Sequence, residues 1–524
     1  MRLFSITVLF LLYHTGVMAQ NEIAPGPHTA RFNANEYENI LYVSATVEGV
    51  QDGSLRHPYS SIKKAVDKTT AMVGSKAIVV SEGIYKEDKI QLPTGTSLYG
   101  GFHFPDMERD IEKYPSQVQP SQNDRIFIPE NQTVIDGFII RDAAYRGKGG
   151  AIFCGGTSPV ITNNIFINNK TLNPLNWAPK YMHRTANDGG TIYAENNAAP
   201  VISHNLFTKN STENGRGAGV ACANHCKPQI NYNVFLENTT GTNDPMRSSD
   251  GGAISIFNWC DATIEGNYFL SNTALSKNDG GAVFVALWSS AKIYDNLFIH
   301  SKSGDDAGSL FVGGQEHRYD APLDELPSAS KFFVDIKENI FFGNSNSSAN
   351  SGVMRFTMES RGAFNNNITA FNTGVYFQRS EVEVKNNVIM DNFLFIETKK
   401  GLKESTIANN LISGSFSLQT PAIVKNNFFE GAKAFQKDLQ LIPPRIVQDG
   451  ISTHPYAASY NKDTYKTRII VEGVSVKDLV GRTIVSNDKW GIVDRQQGNI
   501  LTVWGDLNGA VEVFILPTYT LTKK

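Results

Sequence analysis

One short phrase, an Asn followed by apolar residues and commonly by a second Asn, recurs ten times along the chain. It begins at Asn164 (NIFINN), Asn205, Asn233, Asn267 (NYFLSN), Asn296, Asn339, Asn367, Asn387, Asn410 and Asn427. The nine intervals run from 17 to 43 residues, a variation that a rigid helical solenoid does not tolerate. Within each unit apolar positions alternate over short runs, as in Val201-Ile202 and Leu206-Phe207, with Asn or Gly between the runs. The unit is therefore a coil of short strands and tight turns, and an all-β parallel β-helix satisfies it. Coils in that fold stack at roughly 4.8 Å, so equivalent Asn side chains hydrogen-bond up and down the stack. The Asn column is structural and receives no catalytic role.

A second phrase precedes the Asn copies, at Lys148-Gly-Gly, Asp188-Gly-Gly, Arg216-Gly-Ala, Asp250-Gly-Gly, Asp279-Gly-Gly, Asp306-Ala-Gly and Asn350-Ser-Gly. It marks a turn into a strand, where Gly supplies positive φ or close backbone approach. Counting from it places Ile192, Ala194, Ile254, Ile256, Val283 and Val285 inward and their neighbours outward. Asp before Gly-Gly is good turn chemistry, and Arg216 lies between Asp188 and Asp250, where it neutralises them across ~5 Å. By the same count Cys226 and Cys260 occupy identical positions on consecutive coils, within disulfide range. Cys154 and Cys222 share an inward column with a coil between them, as buried thiols.

The first residues, MRLFSITVLFLLYHTGVMAQ, read as a signal peptide cut after Ala19, which makes the mature protein secreted or periplasmic. No later segment reaches the ~20 apolar residues of a membrane span. Net charge is −3 with mixed signs and no basic stripe, which excludes nucleic acid as a partner. Residues 61–73 have helical spacing with Ser60 or Ser61 as cap. Residues 20–100 then form an N-terminal cap and first coils, and 101–440 the β-helix. A linker is expected over 441–466, marked by Pro443-Pro444 and the polar stretch Tyr456 to Lys466, and a small β module over 467–524.

The phrases GDDAGSL and NDGGAVF, the many N-x-F repeats and the opening LYVSATVEGVQDGSLRHPYSSIKKAV resemble the pectate-lyase-like superfamily of right-handed β-helix proteins, over roughly residues 38 to 440. The resemblance implies a right-handed parallel β-helix closed by an amphipathic helical cap. It singles out no branch: the lyase arginine phrase is absent. Asn278-Asp279-Gly280, Asp305-Asp306 and Gly314-Gln315-Glu316-His317 match the polygalacturonase series only loosely.

The outward count gathers Tyr193, Glu195, Asn224, His225, Phe257, Trp259, Phe284, Trp288, Glu316, His317, Arg318, Arg355, Glu359 and Arg361 on one face. Aromatic platforms between acids, histidines and arginines suit a polysaccharide or oligosaccharide. Glu195, Trp259, Trp288, Arg318 and Glu359 are the expected substrate contacts. The leading expectation is an exported enzyme that cleaves an acidic, uronic-acid-containing glycan by β-elimination. Arg355 or Arg361 would neutralise the carboxylate, and His317, His225 or Tyr193 would take the proton. A glycoside hydrolase using paired carboxylates among Glu195, Asp279, Asp305, Asp306, Glu316 and Glu359 is the second expectation. A non-catalytic, glycan-binding surface protein is the third. Calcium fits the lyase expectation because the Asp-rich face offers oxygen ligands, although no loop carries a calcium motif.

Overall fold

A computed structural model describes residues 24–176, 185–244, 249–314, 332–348, 352–391, 393–400, 402–413, 415–430, 445–446, 451–472, 474, 479–516 and 521–522. The Asn repeats wind into a right-handed parallel β-helix whose sheets contain 14, 13, 12 and 7 strands. Each strand pairs in register with its counterpart one coil on, as in Leu206↔Val234 and Val234↔Tyr268. The Nδ2 of each repeat Asn donates to the Oδ1 of the next, from Asn164 to Asn427, at 2.8–3.2 Å. In Asn205 the other amide hydrogen reaches Ile161 O and Ser203 O, both at 2.9 Å, so a fully buried polar group is satisfied. Beside this ladder Phe166, Phe207, Phe235, Phe269, Phe298 and Phe341 stack with centroids 4.6–5.1 Å apart. Ring spacing and strand spacing coincide, so one repeat serves both contacts.

The inward count holds: Ile192, Ala194, Ile254, Ile256, Val283 and Val285 are all fully buried in the main core. Cys154, Ala194 and Cys222 follow one another in register, and all four cysteines are buried free thiols.

The cap helix spans Ile62–Thr69, with Ser61 as its N-cap accepting from Lys64 N. Glu87 accepts from Ile62 N at 2.7 Å and Lys63 N at 2.8 Å, which satisfies the exposed N–H groups of the first turn. Ile62, Ala65, Val66 and Thr69, spaced i, i+3, i+4 and i+7, cover the first coil.

Tyr456 to Lys466 do not form the expected connecting stretch. They contribute strand Pro455–Asn461 and the start of strand Lys466–Val471 in a seven-stranded antiparallel sheet. That sheet is not detached either. Its Tyr465, Ile492, Trp504 and Leu516 pack on Leu206, Val234, Leu236, Tyr268, Leu270 and Ile299, on the outer face of the 13-stranded sheet. The N-terminal stretch joins the same region, with Gly26 N donating to Tyr232 O at 2.9 Å and the His28 ring 4.8 Å from that of His204. Residues 1–19, the expected signal peptide, lie outside the described residues. No described helix is long and apolar enough to cross a membrane.

Candidate functional site

Register on the outer face of the 12-stranded sheet aligns Phe153, Tyr193, Ala221, Ser255, Phe284, Phe311 and Arg355 in one column. The next outward column runs Glu195, Ala223, Phe257. Between the large rings of Tyr193 and Phe284 the side chains shrink to Ala221 and Ser255, and Ala223 precedes Phe257. These small residues accompany a cavity of about 200 Å³ lined by Lys148, Thr185, Asp188, Tyr193, Arg216, Ala223, Asn224, Phe257, Asn258 and Leu287. It is smaller than the roughly 300 Å³ at which drug-sized pockets begin, a scale suited to one sugar ring or its charged substituent.

Two cations reach this cavity. Lys148 Nζ donates to Tyr193 Oη at 2.9 Å and lies 3.4 Å from Glu195 Oε2. The Arg216 guanidinium carbon sits 4.7 Å above the Phe257 ring, and its Nε is 3.8 Å from Asp250 Oδ2. Arg216 N donates to Asp188 Oδ1 at 2.8 Å, and Asp188 Oδ2 accepts from Thr185 Oγ1 at 2.9 Å. Burial pushes the Tyr193 phenol well above its ordinary pKa, and the Asp188 and Glu195 carboxylates add to the shift. The phenol is therefore a neutral hydrogen-bond donor, and the expectation that Tyr193 serves as a base is corrected.

Beside the cavity the chain turns through paired left-handed residues: Asn224-His225, Asn258-Trp259 and Leu287-Trp288. The repeated turn sets His225 against Trp259 at 5.8 Å, with the rings tilted, and stacks Trp259 on Trp288 at 5.1 Å. Only the first two rings face outward to any extent, since Trp288 is 4% exposed. The expected open row of aromatic platforms is thus corrected: Tyr193, Phe257, Phe284 and Trp288 point outward from the sheet but lie in a second apolar cluster over it.

The arginine assignments also change. Arg355 follows Tyr193 by five coils in one column, roughly 24 Å at one strand spacing per coil, so the two do not act on one sugar. Arg355 instead pairs with Asp306 and Gln378. Arg361 lies on the 14-stranded sheet, 3.5 Å from Glu381, and Glu359 pairs with Lys399. Asp279 and Asp306 stack in the turn column, where Asp306 N donates to Asp279 Oδ1 at 2.9 Å. Glu316, His317 and Arg318 lie outside the described residues. Among the described residues no three His, Cys, Asp or Glu side chains converge as metal ligands.

Lys148 was read only as the start of a turn and Arg216 only as a neutralising partner. The missed signal was the run of small outward residues, Ala221, Ala223 and Ser255, beside the two basic members of an otherwise mostly acidic column.

A family model described as a right handed beta helix region matches residues 116–298. Among solved structures the chain is similar to a double mutant of the tailspike protein of E. coli bacteriophage HK620 in complex with pentasaccharide. Identity is 9%, with 96% of this chain and 99% of that chain covered and a TM-score of 0.31. It is also similar to the tailspike protein of the same phage in complex with pentasaccharide, at 9% identity, with the same coverage and a TM-score of 0.27. No curated protein matches the chain.

Proposed function

We propose that this β-helix is an exported protein that binds an acidic glycan in the Lys148–Arg216 cavity and cleaves it by β-elimination. The observation that carries the reading is the pairing of two cations with a neutral phenol in one small cavity. In this reading Lys148 and Arg216 neutralise the uronate carboxylate, which makes the C5 proton more acidic. His225, exposed on the turn beside cavity-lining Asn224, takes that proton. The C4–O bond then breaks, and the departing oxygen receives a proton from Tyr193 Oη. The product carries a C4–C5 double bond, the proton on His225 returns to solvent, and Tyr193 takes a proton back from solvent.

A hydrolase is the second reading, favoured by one observation: Asp188 lines the cavity, and Glu195 reaches its edge with Oε2 3.4 Å from Lys148 Nζ. Incubation with a panel of acidic and neutral polysaccharides separates the two. Absorbance near 235 nm rising together with reducing ends supports elimination. Reducing ends alone support hydrolysis, and silence in both across the panel leaves glycan binding without turnover.

A further inference from the structure

The turn column changes character beyond the cavity. Lys148, Asp188 and Arg216 alternate in sign, but Asp250, Asp279 and Asp306 follow as three acids on successive coils. Asp279 N donates to Asp250 Oδ1 at 3.0 Å and Asp306 N to Asp279 Oδ1 at 2.9 Å, so the carboxyls are tied to one another's backbone. Arg216 closes one end of the run, with its Nε 3.8 Å from Asp250 Oδ2, and Arg355 closes the other at Asp306. Asp279 therefore stands between two carboxyls, at about one strand spacing from each, an arrangement that does not ionise completely.

We propose that Asp250 is the counter-charge that sets the anion affinity of the cavity through Arg216, and that Asp279 holds a proton beside it. This rests on reading the cavity as an anion site. Part of Asp279 reaches the surface, yet its carboxyl is densely surrounded. Burial, then the Asp250 and Asp306 charges, raises it well above the usual carboxylate range. Asp250 is 5% exposed, and burial pushes it up to about 7 against the pull of Arg216 and the Asp279 N–H. Asp244 and Asp188 also face it and raise it further. Above pH 7 an ionised Asp250 offsets the Arg216 charge. Below pH 7 Asp250 takes up a proton, and more of that charge falls on the ligand. Asp250 is a positioning residue: it acts on the ligand through Arg216.

Inorganic sulfate, which stays ionised throughout, is the probe. Calorimetric titration of the full chain at pH 6 and pH 8 is expected to show binding roughly tenfold tighter at pH 6, the size of one removed counter-charge in a partly screened site. Arg216→Met removes the binding, and Asp250→Asn gives the tight, pH-independent form. Asp279→Asn, nearly isosteric and uncharged like the protonated acid it replaces, leaves the midpoint where it is, which keeps a test in hand if Asp250→Asn does not fold. A flat profile in the unaltered protein, a pH step that survives Asp250→Asn, a midpoint that shifts in Asp279→Asn, or no sulfate binding at either pH overturns the proposal. A sulfate step in a protein that is silent on the polysaccharide panel sinks the lyase reading alone.

Discussion

Lys148 Nζ stands 2.9 Å from Tyr193 Oη, across adjacent coils, and 4.6 Å from the centroid of the same ring. The contact holds the ammonium over the site while the phenol keeps its proton. Removing only that hydroxyl with Tyr193→Phe leaves the ring, its stacking on Phe153 and the fold in place. Loss of a proton donor in elimination is expected to lower kcat about 10²- to 10⁴-fold with a small change in KM. Unsaturated product followed near 235 nm on an acidic substrate measures it, and unchanged kcat removes Tyr193 from the reaction.

The Asn ladder makes a stability prediction. Asn267 Oδ1 accepts from Asn233 N at 2.9 Å and Asn233 Nδ2 at 3.0 Å, while its own Nδ2 reaches Asn296 Oδ1 at 3.0 Å and Ile230 O at 2.8 Å. Asn267→Ala removes these side-chain bonds and takes the acceptor from the buried Asn233 N–H, at a cost of about 2 to 4 kcal/mol. The exposed Asn386, one residue from the ladder, is the control, and Asn386→Ala is expected to cost about 1 kcal/mol or less, from placing Ala at its left-handed φ of 57°. Urea unfolding of the two variants compares them directly.

The ladder, the inward columns and the cysteine register were legible because a repeated hydrogen-bond spacing leaves one solution. Asn205 and Asn233 stack wherever the intervening loop goes, so varying intervals did no harm. The site was less legible for two physical reasons. Counting alternation gives the face of a residue but discards its height along the axis, and Tyr193 and Arg355 were grouped although five coils separate them. Alternation also says only that Trp288 points away from the sheet. Whether it meets water depends on what packs over that face, and at 4% exposure it does not.

All four cysteines are buried thiols, with Cys226 Sγ donating to Ala223 O at 3.0 Å and Cys260 Sγ to Phe257 O at 3.2 Å. A thiol-reactive aromatic disulfide reagent is therefore expected to find essentially no reactive thiol in the native protein and four after denaturation. Two after denaturation without reductant would show instead that Cys226 and Cys260 are joined in the isolated protein.

Acid should loosen the surface that carries the C-terminal sheet and the N-terminal stretch. His204 meets His28 at 4.8 Å and stacks on Tyr232, and His300 stacks on Trp490 of the C-terminal sheet at 5.6 Å. Burial lowers His204 and His300 to about 4, with the neighbouring His28 and Lys302 charges acting in the same direction. In the unfolded chain both titrate near 6.5, so between pH 6.5 and 4 the unfolded state binds more protons. The stability they contribute is full above pH 6.5, falls as pH drops toward 4, and is gone below that. Because both rings are only partly buried, each contributes roughly 1 to 2 kcal/mol after allowance for solvent screening. The urea midpoint is expected to fall from pH 7 to pH 4.5, and the double variant His204→Phe, His300→Phe to flatten that slope. An equal slope in the double variant places the acid sensitivity elsewhere, with Asp250 and Asp279 excluded because both are raised and gain protons on folding over that range.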